Sequence, residues 1–110
     1  MPKFTYKIED FYVDEIRRLA ATIAKKAIVT IDGQEYEYQI TKTVIRDGFL
    51  KHYIEIEDEP VGNIEKAVLV NENGVPLITG EGLIEKGDDG WQIAFKLFVL
   101  VKDGDDDATE

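Results

Sequence analysis

From Ala27 to Lys102 apolar and polar residues alternate with a period of two, and Asp-Gly or Asn-Gly dipeptides interrupt the alternation at 32–33, 47–48 and 73–74. Successive side chains of a strand point to opposite faces, so this period specifies strands. The dipeptides tolerate the left-handed backbone that tight hairpins need, so the strands are expected to run antiparallel. In "AIVTIDGQEYEYQIT" the Asp32-Gly33 turn predicts a type I′ hairpin whose second strand sends Tyr36, Tyr38 and Ile40 to the core and Glu35, Glu37 and Gln39 to water. "TVIRDGFLKHYIEIE" predicts a second hairpin at Asp47-Gly48, after which His52, Ile54 and Ile56 alternate with Tyr53, Glu55 and Glu57. Pro60 and Gly62 mark a loop. "IEKAVLVNENGVPLITGEG" predicts a strand, a turn at Asn73-Gly74 and a shorter strand that Pro76 places at a sheet edge or opens. A last hairpin is expected over "LIEKGDDGWQIAFKLFVLVK", turning at Gly87 to Gly90. Its closing strand carries Trp91, Ile93, Phe95, Leu97, Val99 and Val101 on one face and Ala94, Phe98 and Leu100 on the other. A strand apolar on both faces belongs inside a sheet or under a covering element.

Ahead of the strands, "IEDFYVDEIRRLAATIAKKA" spaces Ile8, Tyr12, Ile16, Leu19 and Ile23 by three and four, which predicts a helix over about residues 10–25 with one apolar stripe. Asp10 suits the N-cap, Asp14 and Glu15 the positive end of the dipole, and Lys25 and Lys26 the negative end; Asp14 and Arg18 are spaced to pair. The expected fold is mainly β: a hairpin-rich antiparallel sheet or small β-sandwich with one N-terminal amphipathic helix. The alternative is an α+β fold in which the sheet wraps that helix. A chain of 110 residues is long enough for one core without metal or disulfide staples, so residues 1–102 are expected to form a single domain and 103–110 an acidic flexible tail.

The residue inventory narrows the chemistry. The chain has neither Cys nor Ser, which removes thiolate and serine nucleophiles, disulfides and Cys-based metal sites. His52 is the only histidine, so one chain holds no two-His metal set, and its place alternating with Ile54 and Ile56 predicts a buried, hydrogen-bonded structural role. In "DGDDDATE", Asp103, Asp105, Asp106 and Asp107 crowd together, but Ala108 stands where a calcium loop needs Gly, so a solvated tail is expected. Asp88 and Asp89 are adjacent on a turn and lack the fixed separation that glycoside hydrolysis requires. "GEGLIEKG" has neither the spacing nor the following helix of a phosphate loop. The expectation is a non-enzyme with no catalytic residue, cofactor or metal. A minority reading, a small-ligand carrier or enzyme, would need a pocket near His52.

Thirteen basic against twenty-three acidic residues give a formal charge of -10, which repels nucleic acid and anionic membranes. No window approaches the roughly 18 apolar residues of a membrane span, and the N-terminus has no apolar leader core, so a soluble protein made in the cytoplasm is expected. The partners expected are proteins, including further copies of the chain. Phe4, Phe11 and Val13, which lie off the helical stripe, and Phe49, Tyr53 and Phe98 on the strands are candidate interface residues. Glu55, Glu57, Asp58 and Glu59 are candidates for docking on a basic protein surface, which would make the protein an acidic adaptor or inhibitor.

From Lys26 to Lys102 the order of elements resembles small virion-associated proteins of tailed bacteriophages and prophages, and is similar to the N-terminal region of tail-collar fibre proteins. The residues that carry the likeness are "GNIEKAVLVNENGVPL", a hairpin turning at Asn-Gly, followed by a charged turn and the long apolar strand that ends the sheet. It covers about two-thirds of the chain and transfers no functional residue. The resemblance implies a structural or assembly component that packs against other phage proteins or against copies of itself, and that enters the virion after synthesis.

Overall fold

A computed structural model of the chain describes residues 4–104. One helix, α1 (Asp10–Ala21), precedes seven strands: β1 (Lys26–Ile31), β2 (Gln34–Gln39), β3 (Lys42–Arg46), β4 (Phe49–Ile56), β5 (Gly62–Val70), β6 (Pro76–Lys86) and β7 (Trp91–Phe98). The strands form two antiparallel sheets, ordered β2-β1-β5-β6 and β3-β4-β7. Alternation then builds the core. Ala27, Val29 and Ile31 of β1 and Ile64, Ala67 and Leu69 of β5 meet Ile54 and Ile56 of β4 and Phe95 of β7, with Tyr36 and Tyr38 packed against them. The fold is therefore a small β-sandwich carrying a helix, and the sheets do not wrap the helix.

Three of the four predicted turns join paired strands. At the first, Asp32 (φ 49°) and Gly33 (φ 79°) both occupy the left-handed region that a type I′ turn requires. At the third, the Asn71 side chain accepts from the N–H groups of Asn73 and Val75, both at 2.9 Å, while Gly74 takes φ 80°. The fourth turn departs from expectation. Gly87 to Gly90 carries the chain across to the other sheet, where β7 pairs with β4 from Phe49 opposite Phe98 to Ile56 opposite Trp91. That register sets Leu50 opposite Leu97, His52 opposite Phe95 and Ile54 opposite Ile93 on the inner face. Matching of apolar rows outweighs the local turn signal, and β7 becomes an edge strand with Phe98 uncovered.

Several helical expectations are also corrected. Glu9 holds the N-cap position without a side-chain bond, and Asp10 is the first helical residue. The helix stops at Ala21, so Lys25 lies beyond it and Lys26 opens β1, where it pairs with Glu37. Arg18 donates a two-pronged pair to Glu15, at 3.0 and 2.8 Å, in place of the expected bond to Asp14. Above all, no residue of α1 is buried. The helix meets the sandwich chiefly at β3 and β4, with Val13, Ile16, Arg17 and Ala20 half-buried and the Arg17 Nε donating to the Val99 carbonyl at 3.4 Å. Val13 thus belongs to the docked face, while Tyr12, Leu19 and Ile23 of the expected core stripe face solvent. With extents of 65 × 24 × 22 Å and a radius of gyration of 18.8 Å, against about 13 Å for a compact chain of this length, the molecule is elongated.

Among the described residues two polar side chains are buried, and both are satisfied. His52, 2% exposed, holds its Nδ1 3.0 Å from the Thr43 hydroxyl on β3. Lys86, at the end of β6, donates from Nζ to the carbonyls of Asp58 and Pro60 at 2.8 Å and of Gly87 at 3.2 Å. Its three protons thereby tie the β4–β5 loop, which contains the cis Glu59-Pro60 peptide, to β6. Replacing Lys86 with Met removes these charge-assisted bonds and is expected to cost about 2 kcal/mol, read as a lowered urea midpoint.

Burial lowers the His52 pKa below its ordinary value. The unfolded chain therefore binds the proton more tightly, so the stability linked to neutral His52 is complete above about pH 6.5 and is lost as pH falls through the lower, folded value. The urea midpoint is expected to fall between pH 7.5 and pH 5.5. His52→Gln, which keeps an acceptor for Thr43 but does not titrate, should flatten that fall; an unchanged slope would refute the assignment.

Candidate interaction surface

Docking on one side leaves α1 with an uncovered apolar side. Phe11 is 76% exposed, Tyr12 63% and Leu19 54%, with Ile23 beyond the last turn and Phe4 and Tyr6 ahead of the first. Phe4 and Tyr6 stack edge to face, with ring centroids 6.3 Å apart. Nearby, Tyr6, Ile8, Tyr12 and Ile16 line one wall of a groove of about 630 Å³ whose other wall is the exit from β7, including Val101. Leu100 on that exit is 78% exposed. The reason lies in the angular arithmetic of a helix. Val13, Ile16 and Ala20 lie on one side of a broad apolar arc and Tyr12 and Leu19 on the other, and contact along one end of β3 and β4 covers only the first. Contiguous apolar surface of this kind marks a place where another molecule packs.

A second surface is the outer face of β3-β4-β7. The register aligns Arg46, Phe49 and Phe98 in one row, Val44, Lys51 and Lys96 in the next, and Lys42, Tyr53 and Ala94 in a third. Lys51 and Lys96 face each other, a repulsive arrangement relieved by stacking: the Lys96 Nζ lies 4.5 Å from the Phe49 ring centroid and 5.0 Å from that of Phe98. The Lys42 Nζ lies 5.8 Å from the Tyr53 ring. Phe49 and Tyr53 are consequently half-buried, contrary to the exposure expected of them, whereas Phe98 is exposed as expected. Within a strongly acidic chain this face is cationic. Lys alternates with aromatic residues along β4 and at the end of β7, but the cross-strand rows needed the β4–β7 pairing.

The four acidic docking candidates do come together. Glu55, Glu57, Asp58 and Glu59 line a groove of about 600 Å³ at the opposite end of β4, and Trp91 closes its other side. A third depression, about 490 Å³, opens between β6 and β7, the edges of the two sheets, over Ile64, Ala67, Ile93 and Phe95. His52 lines none of these three depressions, nor the two smaller ones beside Arg17. Among the described residues no cluster of His, Cys, Asp or Glu is arranged to hold a metal, and the tail residues Asp105, Asp106 and Asp107 lie outside the described residues. No described helix is long and apolar enough to cross a membrane.

The structure separates surface from core in a way that mutation can check. Phe11→Ser and Leu19→Ser are expected to change the stability of the dilute protein by no more than about 0.5 kcal/mol, while Leu50→Ala, at a fully buried site, is expected to cost about 3 kcal/mol in urea denaturation. Compared with family models, curated proteins and solved structures, the chain has no match in any of the three.

Proposed function

We propose that the protein is a non-enzymatic structural or assembly module acting through protein–protein contacts, and that its setting is the tail of a bacteriophage or prophage virion. The observation that carries the assembly reading is the apolar surface of α1 and its surroundings, where Phe4, Phe11, Tyr12, Leu19 and Leu100 are all more than half exposed. A 12-residue helix with no buried side chain is marginal by itself, and a partner that covers this surface supplies the missing stabilisation. The tail setting rests on the resemblance over Lys26 to Lys102; in that setting the protein is made in the cytoplasm and joins the virion by packing against tail proteins or further copies.

A second reading, docking on a basic protein surface, is favoured by the convergence of Glu55, Glu57, Asp58 and Glu59 on one groove beside Trp91. The reading as a ligand carrier or enzyme built around His52 has less support, since His52 is enclosed between the sheets and bonded to Thr43.

Light scattering coupled to size exclusion, over a tenfold concentration range and at two salt levels, tests the first reading against the second. Assembly through apolar surface predicts a mass above the 12.5 kDa of one chain that rises with concentration and survives high salt. A monomer throughout, combined with salt-sensitive capture of a basic protein, would overturn self-assembly in favour of acidic docking.

A further inference from the structure

Tyr12 and Leu19, both exposed, lie seven residues apart and within about 20° of each other around the α1 axis, with Glu15 and Arg18 between them in sequence. A contact between two identical surfaces related by a two-fold axis needs a surface that complements itself, residue i meeting j and j meeting i. We propose that α1 pairs with α1 of a second copy, antiparallel across a two-fold axis beside Glu15 and Ile16. This rests on the assembly reading above and names its partner and geometry.

Chemistry favours the antiparallel sense. Tyr12 of each copy then packs on Leu19 of the other, and Ile8 near Ile23, so the large exposed groups cover one another. The two Glu15–Arg18 pairs flank the axis, where the guanidinium of each copy lies within about one helical turn of the carboxylate of the other. The two helix dipoles oppose. In a parallel pair Glu15 would face Glu15, Arg18 would face Arg18 and the dipoles would align, all unfavourable. The area also suits a second copy. Six exposed side chains, Phe4, Tyr6, Phe11, Tyr12, Leu19 and Ile23, offer on the order of 600 Å² per chain, near the roughly 800 Å² per partner of a standard interface. An area slightly below standard predicts a reversible dimer rather than a permanent one.

Because the chain contains no cysteine, single cysteines report the geometry without interference. Under mild oxidation Glu15→Cys is expected to cross-link to itself. Tyr12→Cys and Leu19→Cys should each stay largely uncrosslinked alone and form a disulfide dimer when mixed. Leu19→Lys is expected to weaken dimerisation at least about tenfold by light scattering, with the thermal midpoint of the dilute protein unchanged. Efficient self-linking of Tyr12→Cys would overturn the antiparallel geometry. An oligomer that Leu19→Lys leaves intact would overturn helix pairing while leaving the assembly reading standing. A native chain that is monomeric at every concentration would overturn both the pairing and self-assembly.

Discussion

The register of β7 on β4 is the constraint on which most of the molecule depends. β5 crosses from β4 to pair with β1, and the last strand crosses back: by leaving β6 and joining β4 it gives the second sheet its third strand. Ile54, Ile56 and Phe95 can then close on Val29, Ile31 and Leu69, and both sheets bury one face. The same choice makes β6 and β7 edges of opposite sheets, which opens the apolar depression between them. It also sends Val99 beyond the Asp47-Gly48 turn, where its N–H bonds the Gly48 carbonyl and its own carbonyl receives Arg17. The helix is therefore anchored by the end of the strand that organises the sandwich.

Polar groups inside the sandwich act on its connections. His52 joins β4 to β3 through Thr43, and Lys86 holds the β4–β5 loop against the end of β6. Close approach does similar work at the same end of β5. Asp32 receives the Asn63 N–H at 2.9 Å while its own N–H bonds the Asn63 carbonyl at 3.0 Å, and Gly62 at φ 149° lies where an added Cβ would meet the Asp32 carboxylate. A side chain at position 62 would have to displace that carboxylate and break the link.

The surface is divided by kind. Apolar area collects at α1, cations stacked on aromatic rings occupy the outer face of β3-β4-β7, and carboxylates gather at the far end of β4. A net charge of -10 would by itself describe an evenly repulsive particle, yet the fold gathers four of the thirteen basic residues, Lys42, Arg46, Lys51 and Lys96, onto one sheet face.

The amino-acid sequence by itself determined most of the secondary elements: the period of two set the strands, the Asp-Gly and Asn-Gly dipeptides set three hairpins, and the spacing of apolar residues set the helix, although the two strands expected on either side of Gly82 are one, β6. It also made His52 a buried, bonded residue and brought Glu55 to Glu59 to one place, because neighbours on one strand and its loop stay neighbours. These are local matters, decided over a few residues by backbone geometry and alternation. Only the tertiary structure decided that Gly87 to Gly90 crosses between sheets, that Val13 docks while Tyr12 and Leu19 do not, and that Lys96 lies over Phe49. An amphipathic stripe states how much apolar surface a helix has, whereas the shape of the surface it meets decides which part is covered. Strand pairing is likewise settled by competition among distant partners for the burial of whole apolar rows, which no short stretch of sequence contains.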